Sequence, residues 1–206
     1  MDLSNAKKGM GLLYTAVILE LISTVLGCLI LIFGFTSFTA LALSAVGTIA
    51  IFVLAIISLI WYIRGVNWAM KDEPYFKNAM YMIICMFVAE ILDMILPKII
   101  AGYSGSIVDG ISALVDVLMS IIIIQGIQKI YEKLGNDEMV KKGKTTAIIY
   151  CVSFIIAKVL EIVCQIKMSE LALGATLLIG ALVCLVLSLV AYIRMLGYLN
   201  HARKDF

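Results

Sequence analysis

Six apolar runs, each long enough to cross a bilayer, constrain what this chain can become. They extend from Gly11 to Phe35, Thr39 to Ile63, Ala79 to Ile100, Ile107 to Gln128, Thr145 to Ile166 and Leu171 to Ile193. At about 1.5 Å of rise per residue, a run of roughly 20 residues crosses a hydrocarbon core about 30 Å thick. Within lipid an unpaired backbone N–H or C=O costs several kcal/mol, so such runs fold as helices, which pair these groups internally. The alternation expected of a barrel strand is absent. Little is left over for a soluble domain: the 206 residues are 63% hydrophobic, whereas a soluble domain is nearer half, and the mean hydropathy is +1.09. The expected fold is therefore all-α, a polytopic membrane protein whose six transmembrane helices form a single domain over residues 1–206. Lys7 and Lys8 precede the first run as in a signal peptide. That run is too long for one, however, carries Glu20, and ends without a small-residue cleavage site, so a retained helix is expected.

Charge sets the expected orientation. Thirteen of the 16 Lys and Arg residues fall on one side of the six runs. They are Lys7 and Lys8 in the N-terminal arm, Arg64, Lys71 and Lys77 after the second run, Lys129, Lys133, Lys141, Lys142 and Lys144 after the fourth, and Arg194, Arg203 and Lys204 in the tail. Lys98 and Lys167 lie opposite, and Lys158 lies inside a run. Basic residues are retained on the cytoplasmic side, which predicts a cell-membrane protein with both termini in the cytoplasm. Tyr14, Trp61, Tyr62, Tyr81, Tyr131, Tyr150 and Tyr192 cluster near the same ends, where an interfacial aromatic belt is expected.

The polar punctuation repeats. Arg64, Lys129 and Arg194 follow the second, fourth and sixth runs at a constant interval of 65 residues. The same interval carries Asp72 and Glu73 onto Asp137 and Glu138, and Lys77 onto Lys142. Three out-and-back hairpins, approximately 1–70, 71–136 and 137–206, are the expected organisation. The plainer alternative is that any hairpin protein spaces its charged loops this way. The linker "KDEPYFKNAMY" resembles, at Asp72, Phe76, Lys77 and Ala79, the small integral membrane proteins of the "domain of unknown function 996" type. The second linker departs from that pattern at Val140 and Gly143. The resemblance implies a membrane architecture and carries no activity, cofactor or site residue with it.

Charges inside the runs carry the functional information. They are Glu20 in the first, Glu90 and Asp93 in the third, Asp116 in the fourth, and Lys158 and Glu161 in the fifth. A charge at the bilayer centre costs about 2.5–3.5 kcal/mol on insertion scales, so these groups are expected to face the bundle interior or water. Spacing agrees. Glu90 and Asp93 share a helix face, as do Lys158 and Glu161, and Asp109, Ser112, Asp116 and Ser120 form one stripe. Ala16, Glu20, Ser23 and Gly27 form another. The second and sixth runs offer small residues instead (Ser44, Gly47 and Thr48; Gly174, Gly180 and Ser188), which suits close packing in a peripheral position. Asp93 and Lys158 are also 65 apart, so the hairpin repeat would let them pair. Five acids against one lysine cannot all stay ionised in a dry bundle. Protonated acids, a wet core or a bound cation are the ways out, and so is polar glue between helices.

These features predict a small transporter or substrate-binding membrane subunit. It would handle a proton, a cation or a small cationic solute through Glu20, Glu90, Asp93, Asp116, Lys158 and Glu161. The alternative is a scaffold or accessory protein that docks a membrane or cytoplasmic partner, or anionic lipid, through its charged linkers. An enzyme is not expected. The only histidine is His201 in the tail, and no phosphate loop, nucleophile elbow or metal-ligand cluster is present. The five cysteines (Cys28, Cys85, Cys151, Cys164 and Cys184) form no CxxC pair and read as small buried hydrophobes. No metal, cofactor or nucleic-acid partner is predicted; the lipid bilayer is.

Overall fold

The computed structural model describes residues 3–33, 38–99, 106–167 and 174–206. These form six helices: α1 (Ser4–Phe33), α2 (Phe38–Ala69), α3 (Phe76–Ile99), α4 (Ser106–Lys133), α5 (Asp137–Lys167) and α6 (Gly174–Asp205). Each helix packs on its neighbours in chain order, and α6 returns to α1, so the bundle closes on itself. Four stretches are long and apolar enough to cross a membrane: Ser4–Gly27, Val46–Ala69, Gly110–Lys133 and Leu182–Asp205. Every helix also turns large apolar side chains outward, among them Ile22, Phe52, Phe87, Leu114, Ile155 and Val186. In water so continuous an apolar surface would drive association; against lipid it costs nothing.

The close-packed core lies toward one end of the bundle. It gathers the first turns of α1, α3 and α5 and the last turns of α2, α4 and α6 around Met10, Leu13, Phe76, Ile127, Tyr131 and Met195. The 13 basic residues singled out above sit at this end too; 12 are exposed and Arg203 is half-buried. Glycine permits the closest approach there. A Cβ on Gly9 of α1 would lie 2.7 Å from the Gly65 carbonyl oxygen and 2.8 Å from the Ala69 nitrogen of α2, so the two backbones touch.

The linkers at this end are built from caps. Asp72 accepts from the Ala6 N–H at 2.6 Å and from Asn5 at 2.9 Å, so a carboxylate 66 residues away terminates α1. A carboxylate in that position satisfies an orphan donor and complements the positive end of the helix. Glu73 is buried, accepts from the Tyr75 N–H at 3.1 Å and pairs with Lys133 of α4 at 2.5 Å. Gly135, at φ 68°, ends α4 in a Schellman turn, with the Asn136 N–H on the Tyr131 carbonyl and the Gly135 N–H on that of Glu132. Asn136 then caps α5 by accepting from the Met139 N–H at 3.1 Å. Asp72–Glu73 and Asp137–Glu138, equivalent by the 65-residue interval, thus do different work. The first pair is folded into the protein, whereas the second is exposed in the first turn of α5.

Candidate functional site

Two of the six acidic and basic residues anticipated as site members lie among the described side chains: Glu20 and Asp116. Glu90, Asp93, Lys158 and Glu161 fall within the helices but outside the described side chains, and so do Cys28, Ser44 and Asp109. Glu20 stands 16 residues into α1 and Asp116 stands 17 before the end of α4, so both lie about 25 Å from the charged end, at ~1.5 Å per residue. They therefore share one level near the middle of the bundle, close enough to repel one another.

Tyrosine surrounds them. The Tyr62 hydroxyl on α2 donates to Glu20 Oε2 at 2.9 Å. Its side chain leans toward the start of its own helix, as helical side chains do, and so reaches a level deeper than its Cα. One turn earlier on α2, Ser58 donates to the Ala16 carbonyl at 3.1 Å and pins α2 against α1. On α5, Tyr150 accepts from Ser120 of α4 at 3.1 Å, and its ring meets Tyr192 of α6 edge-on at 87° with centroids 6.4 Å apart. Thr24 of α1 donates to the Glu20 carbonyl at 2.9 Å. Five helices (α1, α2, α4, α5 and α6) therefore bring two acids and three phenols toward the middle of the bundle.

Polar satisfaction within the cluster is uneven. Glu20 receives the Tyr62 hydroxyl. Asp116 has no hydrogen-bond partner among the described residues, nor does any basic side chain among them pair with either acid. Tyr62 and Tyr150 are sealed at 1% exposure, while Glu20, Asp116 and Tyr192 keep partial surface. Ser23, expected on the polar stripe of α1, donates its hydroxyl hydrogen back to the Leu19 carbonyl at 2.9 Å, within its own helix. Among the described residues no group of three His, Cys, Asp or Glu side chains could hold a metal ion.

One expectation is corrected here. Tyr62, Tyr131 and Tyr150, anticipated in an interfacial belt, are 1% exposed and turn inward. Tyr14, Trp61 and Tyr192 are half-buried, and Tyr81, 49% exposed, is placed outside. The α2 and α6 spans are the two least buried of the four apolar spans, in keeping with the peripheral position expected of them, yet they supply two of the three site phenols. A signal was present in the sequence: Tyr62, Tyr150 and Tyr192 each follow a Ser or Thr by four residues, at Ser58, Thr146 and Ser188. Residues four apart share a helix face, so each of these tyrosines stands on a polar face.

No family model matches the chain, and neither a curated protein nor a solved structure matches it.

Proposed function

We propose that the chain crosses the membrane six times with both termini in the cytoplasm, and that it is a small transporter or substrate-binding membrane subunit. It handles a proton, a cation or a small cationic solute through Glu20 and Asp116. The single observation that carries this reading is the Glu20–Asp116 pair itself. Two carboxylates share one level of an apolar bundle, without a basic partner among the described residues, and both retain accessible surface. Structural glue would leave polar groups satisfied, because an unsatisfied polar group in a low-dielectric interior is costly. Among the described residues Asp116 has no hydrogen-bond partner, and a bound cation would balance two carboxylates at one level. Exposed basic residues at the charged end support the cytoplasmic placement of the termini.

Docking through the first linker is less well supported. Asp72 and Glu73, its two acids, are engaged inside the protein. Of the residues that carry the resemblance of that linker to "domain of unknown function 996" proteins, Asp72, Phe76 and Ala79 are engaged in the bundle and Lys77 is exposed, and the resemblance adds no activity.

Reconstitution into liposomes tests the proposal. Flux of protons, Na⁺, Ca²⁺ and tetraethylammonium is measured for the native chain and for the Glu20→Gln, Asp116→Asn double variant. The native chain should move at least one of these cations, and the variant should fall to the level of protein-free liposomes with unchanged helicity and elution volume. Native-level flux through the double variant would refute the assignment.

A further inference from the structure

One face of α2 carries, end to end, an apolar track and a cluster of cations. Val53, Ile57, Ile60, Arg64 and Trp68 follow one another at steps of three or four residues and so form a single stripe. It lies opposite the buried face of the helix, which Tyr62 and Val66 turn into the bundle. Val53, Ile57, Ile60 and Arg64 are exposed, and Trp68 is half-buried. From Val53 to Arg64 the stripe rises about 16 Å, at ~1.5 Å per residue, which is half the thickness of a hydrocarbon core. The apolar part therefore matches one leaflet, and the charge begins where that leaflet ends.

Two further cations converge there. Lys71, in the turn after α2, lies 4.0 Å from the centroid of the Trp68 ring, and Lys8 of α1 lies 5.1 Å from it. The other described rings in such contacts, Tyr14, Tyr75 and Tyr81, each meet a single cation. Two like charges on one ring repel. Among the described residues neither lysine pairs with a carboxylate: Asp72 is engaged by the Ala6 N–H and Asn5, and Glu73 by Lys133. Arg64 has no ion-pair partner among them either.

We propose that this stripe is a docking surface for an anionic phospholipid. Lys8, Lys71 and Arg64 take its phosphate beside Trp68, and an acyl chain lies along Ile60, Ile57 and Val53. Charge complementarity selects the headgroup, because the cations lack a carboxylate that could hold the ammonium of a zwitterionic lipid. The apolar track selects a lipid over a soluble phosphate, which has no use for it. An indole at the boundary between the two suits the headgroup level. This inference depends on the charged end lying at a membrane surface and is independent of the cation reading of Glu20 and Asp116.

The test follows fluorescence of the full chain in nanodiscs, with Trp61→Phe throughout so that Trp68 is the sole tryptophan. A minor lipid fraction, either phosphatidylglycerol or phosphatidylcholine in a phosphatidylcholine background, carries quenching bromines high on its acyl chains. Phosphatidylglycerol should occupy the site with roughly tenfold preference, since each basic residue near an anionic surface contributes about fivefold. Lys8→Gln, Lys71→Gln should bring the preference to within about twofold of none, whereas Lys141→Gln, Lys144→Gln, exposed on α5, should leave it intact. Equal quenching by the two lipids would overturn the inference. So would an equal loss in the α5 pair, which would show diffuse attraction, or displacement of the lipid by millimolar inorganic phosphate. Quenching by neither lipid would also remove the charged end from the membrane surface. Should the Lys8, Lys71 variant fail to fold, the preference of the chain with both lysines, and the α5 pair, still decide the question.

Discussion

The charged end of the bundle and its acidic middle treat polar groups in opposite ways. At the charged end, acids from one segment are met by donors from another. Asp72 terminates α1, Glu73 takes Lys133, and Asp205 accepts from Tyr131 at 2.7 Å. Cations there also rest on rings: exposed Lys71 and Lys8 lie 4.0 Å and 5.1 Å from the centroid of Trp68, and half-buried Arg203 lies 4.7 Å from that of Tyr14. In the middle, the two described acids have one hydrogen bond from a phenol between them, and each has the other for company. A polar group placed in an apolar interior is normally partnered, because leaving it unpaired is expensive. The charged end is therefore stabilised by partnered polar groups, whereas the acids of the middle are those we propose to handle a cation. If that contrast is sound, changes at the charged end should alter stability and spare cation handling, and changes in the middle should do the reverse.

The largest structural effect is expected at Gly9. An alanine there puts its Cβ against backbone atoms of Gly65 and Ala69, which cannot swing away as a side chain could. Gly9→Ala should destabilise the bundle by about 3 kcal/mol, at the upper end of ordinary overpacking costs, by forcing α1 and α2 apart. Thermal unfolding in detergent measures it. A melting temperature equal to native would mean that the two helices are not in backbone contact, and the picture of a rigid charged end would go with it.

Much of this architecture is legible in the sequence, and the exceptions have physical causes. Each apolar run corresponds to one helix, because hydrophobic length alone specifies a helix in lipid. Helix ends are less legible. Helices α2, α4 and α6 continue to Ala69, Lys133 and Asp205, past the apolar runs that ended at Ile63, Gln128 and Ile193. Polar residues stop a hydrophobic run without stopping a helix; Gly135 stops α4, through its positive φ. Glu20 and Asp116 were readable because charge is conspicuous in an apolar run. The tyrosines were misread for a different reason. Position along a helix places a tyrosine near an interface, but whether it faces lipid or protein depends on its angle around the helix, which for Tyr62 and Tyr150 the hydroxyl four residues earlier records and which for Tyr131, preceded by Ile127, no such signal marks. Nothing in the sequence reveals that Asp72 reaches across to α1, since a contact between residues 66 apart depends on how the hairpins pack.

A smaller effect is expected at Glu73, and it sharpens the contrast by isolating one pair. Its carboxylate is 6% exposed, while the Lys133 side chain is 47% exposed. Replacing the acid by Gln keeps the shape and the bond from the Tyr75 N–H and removes the charge. Solvent around Lys133 screens the pair, so Glu73→Gln should cost about 1 kcal/mol, typical of a partly exposed ion pair. In the background of Lys133→Met the same change should cost much less, and a double-mutant cycle reads the difference. A coupling near zero would show that the acid is held by its backbone contact alone. Cation flux should be unaffected by either change, whereas a lost flux would tie the linker to the acidic middle.

The smallest effect, and the one of opposite sign, is expected at Tyr198. Its hydroxyl is the one buried side-chain polar atom among the described residues without a hydrogen-bond partner, so it breaks the rule that the charged end satisfies its polar groups. The cause lies in its neighbours. The hydroxyl packs against Gly143 of α5, so tightly that a Cβ on that glycine would collide with it and with the Gln128 side chain. Gly143 thus makes room for an oxygen that gains no hydrogen bond in return. Removing that oxygen by Tyr198→Phe keeps the ring, which packs on Tyr131 with centroids 6.1 Å apart, and relieves the unpaired group. The variant should be as stable as native or more stable by up to about 1 kcal/mol, because deleting an unsatisfied polar atom removes its desolvation cost. Denaturation of the two proteins side by side measures the difference. A loss of 1 kcal/mol or more would mean that the hydroxyl has a partner in the folded protein, such as an ordered water, and the charged end would then satisfy its polar groups without exception.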